Sequence, residues 1–286
     1  MPPGIAAAAL AFVLWGLFPI YVKQIAAVPV AEIVVHRTVW SLVYMLALLA
    51  ATRRLGAVRM ALAQPRTLAL FSLSALLLAT NWMVYVWAVS NERILDASLG
   101  YFINPLVTVL LGYVVLKERL RPAQWLAVML AGAGVLWLIV GVGEWPWVAL
   151  VIASSFGVYG LLRKTATLGA VEGLGVEAFL QTLVALPLLL WWTWQGQGVM
   201  AQGASATLGW LLLAGPFTAI PLLLFTAGAR RIPLTTLGLL QYLGPSLQFV
   251  LGVWVYGEAF SGQRAVGFVL IWSALAVYSV DGLRRR

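Results

Sequence analysis

The chain contains 286 residues, of which 63% are hydrophobic and only 9% are charged, and it carries a formal net charge of +9. Soluble domains average about 45–50% apolar and about 25% charged residues, so this composition excludes a surface covered by water and predicts a membrane protein. The absence of cysteine excludes disulfides, thiolate catalysis and metal sites that need cysteine ligands.

Ten nearly charge-free windows divide the chain. Each approaches the ~20 apolar residues that a helix needs to cross the hydrocarbon core, and continuous apolar runs argue against membrane strands, whose polarity alternates. The second window is long enough only if Glu32, His36 and Arg37 lie inside its helix. We therefore predict an all-α integral membrane protein with ten transmembrane helices. In chain order the windows are Ile5–Val22, Thr38–Thr52, Thr67–Asn91, Ala97–Leu116, Pro122–Gly143, Trp145–Leu162, Ala178–Trp194, Leu208–Ala229, Ile232–Gly257 and Ala265–Val280.

Lysine and arginine concentrate in alternate connections between these windows. With the N-terminus inside, only Lys23, Arg37, Arg93 and Arg264 of the 18 basic residues lie away from the cytoplasmic side. Short loops rich in Lys and Arg remain cytoplasmic, so the pattern predicts a protein of the bacterial inner membrane with both termini in the cytoplasm. It also accounts for the positive charge without nucleic acid. The expected partners are the lipid bilayer and a small-molecule substrate, with the chain as a monomer or homodimer.

The two halves of the sequence share landmarks at a nearly constant offset. An offset of 140 residues aligns Pro105 with Pro245 and Glu118 with Glu258, and an offset of 145 aligns Glu32 with Glu177 at the starts of the second and seventh helices. We predict two five-helix repeats, at residues 1–143 and 144–286. Because five is odd, the second repeat is inverted in the membrane, which is typical of secondary transporters whose substrate site lies between the repeats.

Polar and aromatic residues recur inside the windows, where polarity is costly and marks function. They predict a substrate cavity with amide, hydroxyl and aromatic surfaces, suited to neutral or zwitterionic solutes. The alternative is that the amides and hydroxyls bond between helices, at about 0.6 kcal/mol each. The residues assigned to the cavity are Asn81, Trp82, Tyr85, Tyr101, Asn104, Tyr159, Gln241 and Tyr242.

A charged cluster stands at the outer start of the second helix. Glu32 and His36 are four residues apart on one helical face, Arg37 follows, and His36 is the only histidine. Histidine titrates near neutrality, so proton coupling is one interpretation. The favoured interpretation is an outer gate or polar cluster that holds helix ends together.

Prolines inside the windows remove backbone donors and kink helices. Membranes tolerate such breaks where protein or a water-filled cavity satisfies the freed carbonyls. We assign hinge positions to Pro19, Pro105, Pro221 and Pro245.

Several stretches together resemble the RarD-like branch of the EamA family, in the drug/metabolite transporter superfamily. They are LWGLFPIYVK (Leu14–Lys23), HRTVWS (His36–Ser41), NWMVYVWAV (Asn81–Val89), SLGYFINPL (Ser98–Leu106), LKERL with QW (Leu116–Trp125), SFGVYGLLRK (Ser155–Lys164), TAIPLLLF (Thr218–Phe225) and LGLLQYLGPS (Leu237–Ser246).

This resemblance covers nearly the whole chain and implies ten helices in two inverted EamA repeats, with efflux of small organic molecules as the activity. One departure is that Gly257 precedes Glu258 where the first repeat has Lys117 before Glu118. RarD-like proteins are commonly labelled chloramphenicol-related permeases, and the superfamily includes exporters of amino acids.

The predicted function is that of a secondary transporter that exports small organic metabolites by alternating access, with amino acids, aromatic or of broad range, as the favoured substrates. A drug-type efflux permease for chloramphenicol-like solutes and a passive channel are the alternatives. We expect no enzyme activity, because one histidine and no cysteine leave too few groups for nucleophilic or metal chemistry. No cofactor and no metal are expected.

Overall fold

The computed structural model of the chain describes residues 2–91, 93–140, 145–203, 205–255 and 262–283. All regular structure in these ranges is helical. In chain order the helices are α1 (Pro3–Gln24), α2 (Val30–Ala51), α3 (Leu55–Ala63), α4 (Pro65–Ser90), α5 (Ile94–Val114), α6 (Pro122–Val140), α7 (Trp147–Thr165), α8 (Ala170–Trp194), α9 (Gly198–Gln202), α10 (Ser205–Ala229), α11 (Leu234–Gln241), α12 (Leu243–Val250), a π-helical turn (Leu251–Val255) and α13 (Gly262–Leu283).

Nine helical segments in the described part of the chain are long and apolar enough to cross a membrane, and Ala265–Asp281 of α13 is a shorter apolar helix. One of the nine combines α11, α12 and the π-helical turn, and another combines α8 with α9. These ten segments correspond to the ten windows, which confirms the prediction of an all-α membrane protein. The short helix α3 lies in the connection between the second and third spans.

The second span has the length that its polar start requires. Pro29 precedes it with φ −54° and ψ 135°, and α2 then runs from Val30 to Ala51. Glu32, His36 and Arg37 are therefore inside this helix, as the sequence predicts, and all three are buried.

Helices from the two halves interleave. In the first half α1 and α2 pack against α10 of the second half, and in the second half α7 and α8 pack against α4 of the first. Likewise, α5 of the first half packs against α7 of the second, and α12 of the second half packs against α1 of the first. Equivalent helices of the two halves also pack against each other, namely α2 on α8, α5 on α11 and α6 on α13. Each contact thus has a counterpart in which the two halves exchange places, as in the inverted repeats of transporters. The repeat boundary at 143/144 stays a prediction, because residues 141–144 lie outside the described ranges.

Small residues allow these helices to approach closely, as they do in many membrane bundles. A Cβ atom on Gly238 of α11 would lie 2.7 Å from the carbonyl oxygen of Pro105 in α5. One on Gly228 of α10 would lie 2.8 Å from the Cβ of Ala8 in α1. Larger side chains at either glycine would push the two halves apart.

The outer surface is apolar where a soluble protein would be charged. Met83, Met129 and Val184 expose 70%, 68% and 74% of their surface. These side chains lie on spanning helices, so we expect them to contact the hydrocarbon chains of the lipid bilayer.

The four prolines assigned as hinges have different backbone surroundings. Pro19, Pro105 and Pro221 lie inside the continuous helices α1, α5 and α10. Pro245 lies in α12, three residues after the break between α11 and α12 at Tyr242. Because Pro245 has no N–H to donate to the carbonyl of Gln241, the ninth span is discontinuous at the position where the sequence predicts a kink.

Candidate substrate site

Asn81 connects α4 to α7. Its side-chain Nδ2 donates to the carbonyl oxygen of Ile152 at 2.7 Å and lies 3.1 Å from the hydroxyl of Ser155. The side chain is buried. These bonds hold two spans from opposite halves together, which is the packing alternative that the sequence left open for such amides.

A second polar group lies between α5 and α11. The hydroxyl of Thr108 is 3.4 Å from Oδ1 of Asn104 and 3.3 Å from Oε1 of Gln241. The Nε2 of Gln241 has no hydrogen-bond partner within the described residues. The hydroxyl of Tyr242 donates to the carbonyl of Phe102 at 3.2 Å. Asn104, Gln241 and Tyr242 are thus brought together at one crossing between the halves.

Trp82, Tyr85 and Tyr101 form an aromatic wall next to Arg37. The rings of Trp82 and Tyr85 are 5.6 Å apart, and those of Tyr85 and Tyr101 are 6.1 Å apart, both in edge-to-face arrangements. The guanidinium carbon of Arg37 lies 3.9 Å from the centre of the Trp82 ring. Arg37 from α2 therefore faces an aromatic surface contributed by α4 and α5.

Tyr159 belongs to a fully buried cluster around Glu177. The carboxylate of Glu177 accepts hydrogen bonds from Ser74 and, at 3.4 Å, from the hydroxyl of Tyr159. Nη1 of Arg163 lies 3.6 Å from the same carboxylate. Arg163 also donates to the carbonyl oxygen of Ala170 at 3.2 Å. A buried charge is tolerable only when paired and hydrogen-bonded, and this cluster meets that condition for Glu177.

A cavity lies inside the bundle where α2, α4, α8 and α10 meet. Its volume is about 20 Å³, which is room for about one water. Helices of both halves surround it. Leucine and alanine side chains form the apolar part of its wall, and its polar part consists of Arg37, Thr38, Ser41, Glu177, Gln181 and Thr218.

The cavity and the residues assigned from sequence coincide in part. Arg37 borders it directly, whereas the eight residues assigned to a cavity lie behind its wall or at neighbouring helix crossings. Trp82 supports Arg37, and Tyr159 supports Glu177. In the sequence Glu177 stands out only as a repeat landmark, because the charge-free seventh window begins at the next residue, Ala178. Glu177 matches Glu32 in the repeat, and Glu32 lies inside its spanning helix. The same placement for Glu177 is the sequence signal that identifies it as a buried polar residue.

Glu32 and His36 lie away from the cavity, near the start of α2. Oε1 of Glu32 accepts a hydrogen bond from the backbone N–H of Val199 in α9 at 2.6 Å and lies 3.6 Å from Nε2 of His36. The indole N–H of Trp40 donates to Nδ1 of His36 at 3.0 Å. An indole nitrogen can only donate, so Nδ1 is unprotonated and His36 is neutral in this arrangement.

A basic recess lies at the opposite end of the bundle. It opens between the α5–α6 connection, the end of α7 and the α10–α11 connection, and the basic residues that line it are Arg119, Arg121, Lys164, Arg230 and Arg231. Several of these cations already have partners. Lys164 donates to the carbonyl of Ala229 at 3.0 Å, and Arg230 to the carbonyl of Leu168 at 2.8 Å. Glu118 accepts from the N–H groups of Leu234 and Thr235, so it caps the start of α11.

No group of three or more His, Asp or Glu side chains among the described residues is placed to hold a metal ion. The polar side chains at the cavity wall carry a guanidinium, hydroxyls, an amide and a carboxylate.

Comparisons with known proteins define the class. Residues 2–140 match the EamA-like transporter family. An uncharacterized transporter of Vibrio cholerae is 46% identical over 285 residues, which cover 98% of this chain and 93% of that protein. The protein RarD of Salmonella typhi is 44% identical over 280 residues, with 98% and 95% of the two chains covered. A crystal structure of a protein with 21% identity aligns at a TM-score of 0.75 over 99% of both chains, which shows a shared fold.

The fold and these relatives define a membrane transporter. The chain belongs to the EamA-like transporter family, in its RarD-like branch, which confirms the resemblance seen in the sequence motifs.

Proposed function

We propose that the protein is a secondary transporter that exports small organic metabolites, with amino acids as its main substrates, by alternating access. The observation that carries this proposal is a small cavity in the spanning part of the bundle, with charged, hydroxyl and amide side chains among its lining residues, surrounded by α2 and α4 of one half and α8 and α10 of the other. Polar groups in a membrane interior are costly and mark solute pathways. The crossing between repeats is where secondary transporters bind their substrates.

Two polar contacts at opposite ends of the α2–α8 pair support alternating access. At one end Glu32 bonds to the N–H of Val199, just beyond α8. At the other end Arg54, just beyond α2, forms an ion pair of 2.8 Å with Glu172 at the start of α8. We name these contacts the outer tie (Glu32–Val199) and the inner tie (Arg54–Glu172). With both ties closed the cavity holds about one water, so a solute enters only after one end separates.

The chemistry of the cavity wall suits amino acids. Thr38, Ser41, Gln181 and Thr218 offer hydroxyl and amide groups, and the charged residues Arg37 and Glu177 border the same space. A zwitterion that leaves water needs replacement hydrogen bonds, because an unpaired buried polar group costs about 1–3 kcal/mol. The protein would sit in the bacterial inner membrane with both termini in the cytoplasm, so that the outer tie faces the periplasm.

The test is counterflow in proteoliposomes. Vesicles loaded with unlabelled amino acid are diluted into trace radiolabelled amino acid, across a panel of aromatic and aliphatic substrates with and without an imposed pH gradient. A carrier gives a transient accumulation of label that saturates with concentration. Non-saturable leakage of label would favour a passive channel instead.

Chloramphenicol is included as a second labelled solute. Counterflow of chloramphenicol without counterflow of any amino acid would replace the proposal with a drug-type permease. Met129→Leu, a change on the lipid-facing surface, serves as the matched variant that retains wild-type transport.

A further inference from the structure

Arg37 is a buried cation without an anionic partner. Only 5% of its surface is exposed, and it lies in a membrane-spanning helix. Its Nε has no hydrogen-bond partner, and no carboxylate of the described residues lies within ion-pair distance of its guanidinium. A guanidinium carries five N–H donors and stays charged, so its burial in this state leaves strong donors unused.

The neighbours of Arg37 hold the side chain in place without satisfying those donors. The guanidinium carbon lies 3.9 Å from the centre of the Trp82 ring, and a cation–π contact supplies no nitrogen or oxygen acceptor for the N–H groups of the guanidinium. Tyr85 and Tyr101 continue the aromatic wall that begins at Trp82. The cavity is on another side, with Ser41 and Gln181 among the residues that share it with Arg37.

The charges around the cavity do not balance. Glu177 is occupied by Ser74, Tyr159 and Arg163, so Arg163 and Glu177 offset each other. Glu32 is bonded to Val199 and faces His36. Arg37 remains as one uncompensated positive charge beside a cavity that both halves enclose.

We infer that Arg37 binds the carboxylate of the transported solute, so that the site selects small organic carboxylates, amino acids among them. This inference rests on the proposed function and narrows its substrate class. An arginine fork matches the two oxygens of a carboxylate in a bidentate pair, and one bound carboxylate neutralises the excess charge. The hydroxyl of Ser41 and the amide nitrogen of Gln181 already donate to the backbone carbonyls of Gly215 and Ala75. The side-chain oxygen atoms of Ser41, Gln181 and Thr218 then remain as acceptors for the amine of the solute. A neutral solute would leave the guanidinium unpaired.

The experiment measures equilibrium binding to purified protein in lipid nanodiscs, which does not depend on transport. The probes are L-phenylalanine and phenethylamine, which share a side group and an amine but differ in the carboxylate. Hydrogen bonds to charged groups predict that wild-type protein binds phenylalanine about 10- to 100-fold more tightly. This comparison needs no variant. Equal binding of the two probes, or no binding of phenylalanine at millimolar concentration, overturns the inference.

Variants then assign the preference to one residue. Arg37→Gln abolishes the preference for phenylalanine, and Arg37→Lys keeps a reduced preference because it retains the charge without the bidentate fork. Arg59→Gln, on the exposed surface of α3, is the matched control and binds like wild type. If Arg37→Gln does not fold, Arg37→Lys is the deciding variant, and a reduced preference for phenylalanine in it supports the inference. An unchanged preference in the folded Arg37 variant contradicts the inference.

The binding and counterflow experiments distinguish failure of the Arg37 inference from failure of the transporter proposal. Counterflow of phenylalanine together with equal binding of both probes leaves the transporter proposal standing and removes the role of Arg37. Selective binding that Arg37→Gln abolishes, without any counterflow, keeps the carboxylate site and refutes transport of this solute.

Discussion

The guanidinium of Arg37 lies 3.9 Å from the centre of the Trp82 ring, and the two side chains come from different spans, α2 and α4. This contact fixes the cation beside the cavity while its N–H groups stay available. It links an aromatic residue predicted from the sequence as cavity lining to a basic residue predicted as part of a gate.

Removing the aromatic support of Arg37 should weaken solute binding. A desolvated cation–π contact is worth about 2 kcal/mol, so Trp82→Ala is expected to reduce affinity for phenylalanine by about 10-fold or more, and Trp82→Phe by less. Binding in nanodiscs measures both. Trp254→Ala, at a side chain that is 82% exposed, should leave affinity unchanged, and an equal loss in this control would contradict a specific role for Trp82.

Breaking either tie should open the cavity to one side only. The chain contains no cysteine, so Ser41→Cys, at the cavity wall, provides a single labelling site. With Glu32→Gln in the same chain, an impermeant maleimide added to the periplasmic side should label this cysteine faster, because the N–H of Val199 loses its charged acceptor.

With Glu172→Gln instead, faster labelling is expected from the cytoplasmic side, because the ion pair with Arg54 is lost. The measurement compares intact cells with inverted vesicles. Identical labelling rates in both variants, or acceleration from the wrong side, would show that the ties do not gate access.

The buried Glu177 cluster should contribute strongly to stability. Removing one partner of a buried ion pair costs about 3–5 kcal/mol, so Glu177→Leu is expected to lower the apparent Tm markedly, since it leaves Arg163 uncompensated. The double variant Arg163→Met with Glu177→Leu should recover part of the loss. Thermal unfolding in detergent measures this, with Glu172→Gln, which breaks a more exposed pair, as the comparison. A double variant less stable than Glu177→Leu alone would refute the coupling.

The orientation predicted from loop charge has a direct test. A reporter that is active only in the cytoplasm, fused after Arg286, should be active, and one that is active only in the periplasm should be silent. The basic connections account for this expectation, because Lys and Arg in short loops resist translocation. The reverse pattern would invert the assignment of the outer and inner ties.

The spanning helices follow from the sequence because they depend on local patterns, and membership of a transporter family follows from its motifs. A continuous apolar window such as Ala97–Leu116 predicts a spanning helix, because only helices and closed barrels satisfy the backbone in lipid and the strands of a barrel alternate in polarity. Pro245 likewise predicts the discontinuity of the ninth span, since the missing N–H acts within one helical turn. The inclusion of Arg37 in α2 also follows, because the window is too short without it.

The identity of the site depended on distances that local patterns do not contain. Asn81 and Arg37 are both polar residues within spans, yet Asn81 finds the carbonyl of Ile152 and Arg37 finds only an aromatic face and a cavity. Which polar group is satisfied and which is free is decided by helix crossings between residues far apart in the chain. The tertiary structure alone therefore separates side chains that hold the bundle together from the cation left for a solute.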